Sequence, residues 1–271
     1  MADDFRLANY LARIGVRGPV APDYATLAAL QLAQVDAIPF EGLDPLLGRP
    51  VKLDLVSLQA KLVDGRRGGY CFELNALLMA ALEAIGFRVA GLGGRVRWMS
   101  PTESPLGPRT HMALKVDLPD GPYLVDAGFG ACLMDKPMPL TAGAEESAAV
   151  GTYRLSEFDG MFLVSARQPS GWRAMYAFNL EPQLPADYAL ANYFTSTNPL
   201  APFVNSLIME RVSGGKRLKL LDRRFTVEGR DGERVDERTI ASAAELQSVL
   251  DRTFNVAPPA PIDQLFARIG G

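Results

Sequence analysis

Cys71, His111 and Asp126 are the residues of this 271-residue chain whose types and spacing allow covalent chemistry. Cys71 lies in Arg66-Arg67-Gly68-Gly69-Tyr70-Cys71-Phe72-Glu73-Leu74-Asn75, and apolar residues recur after it at helical spacing through Leu74, Leu77, Leu78, Leu82 and Ile85 to Gly86. The spacing predicts a helix that opens at the cysteine and ends at a left-handed glycine, with Gly68 and Gly69 supplying backbone conformations closed to other residues. A thiol at a helix N-terminus meets unpaired N–H groups and the positive end of the dipole, and both favour thiolate over thiol. His111, in Arg109-Thr110-His111-Met112, is the single histidine, so any imidazole-dependent step must use it. Asp126 follows in Tyr123-Leu124-Val125-Asp126-Ala127-Gly128-Phe129-Gly130. Thiol, base and acid in that order form the set that thiol nucleophilic catalysis needs.

Each residue alone has a plainer reading. A free cysteine is usually a small buried hydrophobe, a lone strand histidine is usually structural, and an aspartate near a turn is usually a cap. Cys132 has no basic residue beside it in sequence and reads as structural.

The elements that must position these groups can be read in outline. Phe5, Tyr10, Leu11 and Ile14 share a helical face that Gly15 can close, Asp23 can cap a second helix running to Pro39, and residues 55–63 read as a third. Beyond Gly86 the pattern changes to short strands at 87–92 and 95–98, then a loop over 101–108. In residues 111–118, alternation places Met112, Leu114, Val116 and Leu118 on one face and His111 on the other. Pro119-Asp120-Gly121 then turns the chain. A plain three-residue hairpin would set Asp126 opposite Leu114, leaving it and His111 on opposite faces, so a bulge or a break in pairing is expected near Ala127-Gly128. Short alternating runs over 152–178 point to an antiparallel barrel or sandwich. A helical run begins at Pro185, strands follow over 206–212, 217–221 and 224–228, and a last helix carries Leu246, Val249, Leu250 and Phe254 with Ser242 as its cap.

Bulk properties narrow the function. The chain is 48% hydrophobic and 22% charged, ordinary values for a globular protein. A net charge of -3 gives no electrostatic ground for a nucleic-acid partner. Two cysteines without the density of a secreted scaffold, an acidic N-terminus without an apolar core, and no run long enough to span a bilayer make a cytoplasmic protein the expectation, with no membrane partner.

The cysteine motif from Arg67 to Asn75, then Thr110-His111-Met112, then Leu124 to Gly130 resemble the arylamine N-acetyltransferase family. Weaker matches lie at Tyr10 to Gly15, Ile38-Pro39-Phe40-Glu41, Thr195 to Pro199 and the run from Ala243 to Phe254, while Gly42 and Asn198 depart from the pattern. The resemblance implies an α+β fold: an N-terminal helical bundle (1–86) carrying the nucleophile, a central antiparallel β-barrel (87–184) carrying His and Asp, and an interdomain helix with a C-terminal α/β lid (185–271). It implies acetyl-coenzyme A as donor and an arylamine, hydrazine or arylhydroxylamine as acceptor, with no metal, in a monomer or homodimer. It places Phe40, Val96, Phe129 and Phe203 in an apolar acceptor pocket and Gly128-Phe129-Gly130 at the border of the coenzyme A cleft. The backbone N–H groups at Cys71 and near Thr110 are candidates for oxyanion donors. Glu41, Arg67 and Glu73 flank these motifs and are expected to brace the site as buried ion pairs. Two rivals remain at this point: a thiol hydrolase or amide-forming acyltransferase with the same triad, and a metal or redox module built from Cys71, Cys132, His111 and Asp126, for which no paired ligand motif exists.

Overall fold

The computed structural model describes residues 5–98, 100, 101 and 103–270. Met1 to Asp4, most of the stretch read as lacking a targeting segment, lie outside the described residues, as does Thr102 in the expected 101–108 loop.

The chain opens in helices. α1 (Leu7–Ile14) ends at Gly15, left-handed at φ 74°. α2 (Tyr24–Ala37) starts on Asp23, whose carboxylate accepts the Thr26 N–H at 2.8 Å. A two-residue strand β1 (Phe40–Glu41) leads to α3 (Leu43–Leu46) and α4 (Leu55–Leu58), which widens into a π-helical turn over Gln59–Asp64. α5 (Cys71–Ile85) begins at the cysteine and stops at Gly86, left-handed at φ 104°. It buries Phe72, Leu74, Leu77, Leu78 and Leu82 against the other helices, so its position is fixed along most of its length.

Eight antiparallel strands follow: β2 (Arg88–Val96), β3 (Arg109–Leu118), β4 (Gly121–Val125), β5 (Met138–Pro139), β6 (Glu145–Ser147), β7 (Thr152–Phe158), β8 (Met161–Gln168) and β9 (Gly171–Pro182). They form one sheet in the order β5-β4-β3-β2-β9-β8-β7-β6, curled until its edge strands adjoin, a nearly closed barrel. The two strands expected over 87–92 and 95–98 are one continuous strand, β2, whose register shifts between Gly94 and Arg95. The glycine pair that looked like a break is a matter of space: a Cβ on Gly94 would stand 3.0 Å from the Tyr176 ring and 3.2 Å from His111.

α6 (Pro185–Thr197) carries the helical run expected from Pro185. Phe203 sits in the short helix α7 (Pro202–Asn205), ahead of the strand expected from residue 206. β10 (Ile208–Ser213), β11 (Lys216–Leu221), β12 (Arg224–Glu228) and β13 (Arg234–Thr239) build a second antiparallel sheet, which β1 joins through pairs Phe40 with Glu210 and Glu41 with Met209. α8 (Ala243–Ser248), capped by Ser242 at 3.2 Å, and α9 (Ile262–Arg268) cover that sheet over a core of Leu207, Met209, Leu220, Phe225, Leu246 and Phe254. Among the described residues this is the α+β arrangement of bundle, barrel and C-terminal α/β unit.

Candidate active site

Cys71 is the first residue of α5, so its side chain stands at the helix end where N–H groups lack intrahelical partners. It is buried, with Sγ 3.7 Å from the Thr110 carbonyl oxygen. The loop before it is pressed between β1 and the first turn of α5. A Cβ on Gly68 would fall 2.1 Å from the Pro39 carbonyl oxygen, and one on Gly69 would fall 2.7 Å from Glu73 Oε2. Close approach, rather than the expected special backbone angle, is what requires these two glycines; the left-handed residue of the loop is Arg66, at φ 48°.

Beneath that loop lie three carboxylates and two cations. Arg67 bridges Glu41 at 2.7 Å and Asp44 at 3.1 Å, and Lys61 bridges Asp44 at 2.6 Å and Glu73 at 2.7 Å. Glu73 Oε2 also accepts the Tyr70 N–H at 3.1 Å, which ties the network to the residue before the cysteine. Burial opposes charge on Lys61, Arg67 and Asp44, yet mutual attraction holds Lys61 and Arg67 above their ordinary pKa values and Asp44 below its own, whereas at Glu73 burial prevails over Lys61 and raises the carboxyl. Glu41, Arg67 and Glu73 pair as the sequence reading expects, while Lys61 and Asp44 carry no local signal and enter through the fold.

His111 Nε2 and Asp126 Oδ2 are 2.7 Å apart in a site closed to solvent. The hairpin joining them has a two-residue turn, Leu118 pairing with Gly121, so Leu114 faces Val125 rather than Asp126. One residue less in the turn inverts the facing of the whole return strand, and Asp126 comes to the same side as His111. Regular pairing stops at Val125, one residue before the acid and close to the break expected at Ala127-Gly128, although no bulge interrupts this pair. Met112, Leu114, Val116 and Leu118 do face the helices together, leaving His111 and Ala113 toward the barrel interior.

Asn75, one turn along α5 from Cys71, is the site residue that sequence reasoning missed. Fully buried, its Nδ2 donates to Asp126 Oδ1 at 3.0 Å and to the Met112 carbonyl at 2.6 Å, while its Oδ1 accepts the Ala127 N–H at 3.0 Å. A buried amide four residues after the cysteine was the available signal, because that spacing returns to the same helix face. The Gly128 N–H adds a bond of 2.8 Å to Asp126 Oδ1. With Nε2 engaged by Asp126, the other imidazole nitrogen is the one left for the Cys71 thiol, which is among the groups that raise the His111 pKa. Burial opposes protonation of His111, but the Asp126 carboxylate and the thiol outweigh it and hold its pKa up to about 10. Burial likewise works against charge on Asp126, and His111, Asn75 and Gly128 together keep its pKa below the ordinary value.

The remaining predicted residues gather unevenly around this centre. Phe129 stands edge-on to the His111 ring at 5.1 Å, and Tyr176 packs against it at 4.5 Å, the two rings themselves being 5.4 Å apart. Phe40 and Phe203 pack at 5.7 Å, and Phe203 also meets Tyr70 at 5.6 Å. Val96 is exposed at the end of β2. Gly128 and Gly130 are explained by protein contacts: a Cβ on Gly128 would stand 2.8 Å from Cys71 Cα, and one on Gly130 would fall 2.2 Å from the Phe40 ring. Cys132 is buried in the barrel core, where desolvation pushes its thiol up to about 11. Among the described residues no group of three His, Cys, Asp or Glu side chains could hold a metal ion.

Residues 23–260 match the model of the N-acetyltransferase family. A similar curated protein, the arylamine N-acetyltransferase of Mycolicibacterium smegmatis, is 40% identical over 91% of this chain and 90% of its own length. The chain belongs to the arylamine N-acetyltransferase family. The Salmonella typhimurium relative, an arylamine N-acetyltransferase and N-hydroxyarylamine O-acetyltransferase, is 36% identical over 92% of this chain and 88% of its own. Among solved arylamine N-acetyltransferases, the Mycobacterium marinum structure superposes with a TM-score of 0.92 at 37% identity, covering 97% of this chain and 98% of that one. A structure of the M. marinum protein in complex with CoA gives the same TM-score at 36% identity.

Proposed function

We propose that this chain moves an acetyl group from acetyl-coenzyme A to the nitrogen of an arylamine or hydrazine, or to an arylhydroxylamine, through a thioester on Cys71. Family membership supports the reaction, and the contact of Cys71, His111 and Asp126 at the start of α5 supports the route. Cys71 Sγ, giving its proton to His111, attacks the acetyl carbonyl; the carbon–sulfur bond to coenzyme A breaks, and the imidazolium returns the proton to the departing thiolate. His111 then takes a proton from the incoming amine as its nitrogen attacks the acetyl-cysteine and Cys71 leaves. Asp126 keeps the imidazole oriented and stabilises its cationic form throughout, itself braced by Asn75 and Gly128. The N–H groups at the α5 terminus and near Thr110 are the donors nearest the developing oxyanion. Phe40, Val96, Phe129 and Phe203 form the apolar surface for the acceptor ring.

Intact mass after mixing with acetyl-coenzyme A alone, followed by peptide mapping, tests this. One acetyl group on Cys71 that is discharged by an arylamine is the expected result. An adduct discharged by water as fast as by amine, or no adduct on a reactive thiol, would replace the reading with a hydrolase or a different acyl donor.

A further inference from the structure

Arg217 on β11 and Glu210 on β10 are almost wholly buried, yet little of their bonding is to each other: Arg217 Nε is 3.4 Å from Glu210 Oε1. Their shorter bonds go to the loop that follows Asp126. Glu210 Oε1 accepts the Leu133 N–H at 2.8 Å, and Arg217 Nη2 donates to the Leu133 carbonyl at 3.2 Å. Arg217 Nη1 donates to the Val150 carbonyl at 2.8 Å, and Tyr153, itself bonded to Arg217, gives a second donor to Leu133 at 2.9 Å. Both main-chain groups of Leu133 are therefore held by side chains of the C-terminal sheet. One peptide further on, the Met134 carbonyl accepts Gln31 Nε2 at 2.9 Å, and the same nitrogen donates to the carbonyl of Asp126 at 3.2 Å. The path from β10 and β11 thus runs through buried hydrogen bonds to the main chain of Asp126, whose carboxylate orients His111, and Phe129 on the same loop packs against the imidazole.

We propose that Arg217 and Glu210 are positioning residues for acetyl transfer, fixing Leu133 so that Gln31 and the 126–134 loop hold Asp126 against His111. This rests on the reading of Cys71, His111 and Asp126 as the reacting set. Stability alone does not account for the pair, since burying two charges costs more desolvation than packed apolar residues of the same volume, and such replacements are often neutral or stabilising. What the charged pair adds is direction: a guanidinium fork and a carboxylate hold the two peptide units that flank the Leu133 Cα.

The test removes both charges together, as Arg217→Met with Glu210→Leu, so that neither is left uncompensated. Cooperative unfolding should persist, while kcat falls by about tenfold or more, since a misplacement of ~1 Å costs on the order of a hundredfold. KM for acetyl-coenzyme A should stay within about twofold, because the binding surfaces are untouched. The lone histidine gives an unambiguous NMR titration, whose midpoint should fall toward the ordinary imidazole value as Asp126 draws away. A folded double variant with wild-type kcat and an unmoved His111 titration would overturn the proposal. Should the double variant fail to fold, Gln31→Met decides by the same two readouts, with the same expected and overturning results. The titration also separates this proposal from the function it rests on, because it reads the His111 environment whether or not acetyl-coenzyme A acylates Cys71.

Discussion

The chain's two thiols are almost equally buried, Cys71 at 4% and Cys132 at 1% exposure, and their surroundings differ in kind. Cys71 sits on the first residue of a fifteen-residue helix beside the His111 imidazole. Cys132 sits among Leu124, Met134, Met138 and Tyr153 in the barrel core, where burial drives its thiol up to about 11 although Arg217 is near, that guanidinium being committed to carbonyl oxygens. Exposure does not separate the two thiols here; the orientation of N–H groups and the availability of a proton acceptor do.

The sharpest break of this comparison is Cys71→Ala, which should lower arylamine-dependent consumption of acetyl-coenzyme A by about a thousandfold or more and abolish the acetyl adduct. Retained transfer with the adduct on Cys132 would reverse the assignment. Asp126→Asn comes next, with an expected loss in kcat on the order of a hundred- to ten-thousandfold, because the imidazole loses both its orientation and its counter-charge. The same variant sharpens the electrostatic half of the argument. A His111 pKa raised to about 10 means that its stabilising pairing is fully present below the ordinary value near 6.5 and is lost as pH rises through about 10. Urea denaturation of the wild type should therefore show stability falling over that interval, and Asp126→Asn should flatten the fall; a wild-type curve flat from pH 6 to 10.5 would contradict the ion pair. Lys61→Met strips Asp44 and Glu73 of a shared buried partner and should cost about 3 kcal/mol of stability, measured by the same denaturation. Cys132→Ala is the smallest perturbation, with kcat kept within about twofold and stability lowered by about 1 kcal/mol, and a large activity loss in a folded Cys132→Ala protein would remove the distinction between the two thiols.

Local signals carried the parts of the site that local physics decides. The opening of α5 at Cys71, its stop at Gly86 and the caps at Asp23 and Ser242 are each set by residues within a turn of one another. The facing of Asp126 was not legible, because a turn of two residues rather than three inverts it, and Pro119-Asp120-Gly121 permits both. Lys61 and Asp44 enter the charge network from elements that only tertiary packing brings to Glu73 and Arg67. β13 escaped notice because Arg-Val-Asp-Glu-Arg-Thr is exposed throughout and lacks the alternation that a half-buried strand displays.

The strand formed by Phe40 and Glu41 has a consequence for how the protein comes to life. It pairs with Glu210 and Met209, about 170 positions later, and it also bonds to Gly69 two residues before Cys71. During synthesis the segment containing Cys71 leaves the ribosome long before that distant partner exists. The loop that aims the thiol is completed only when β10 docks, so nascent chains and C-terminal truncations carry the cysteine without its setting. A strand of two residues thereby ties the setting of the Cys71 thiol to β10.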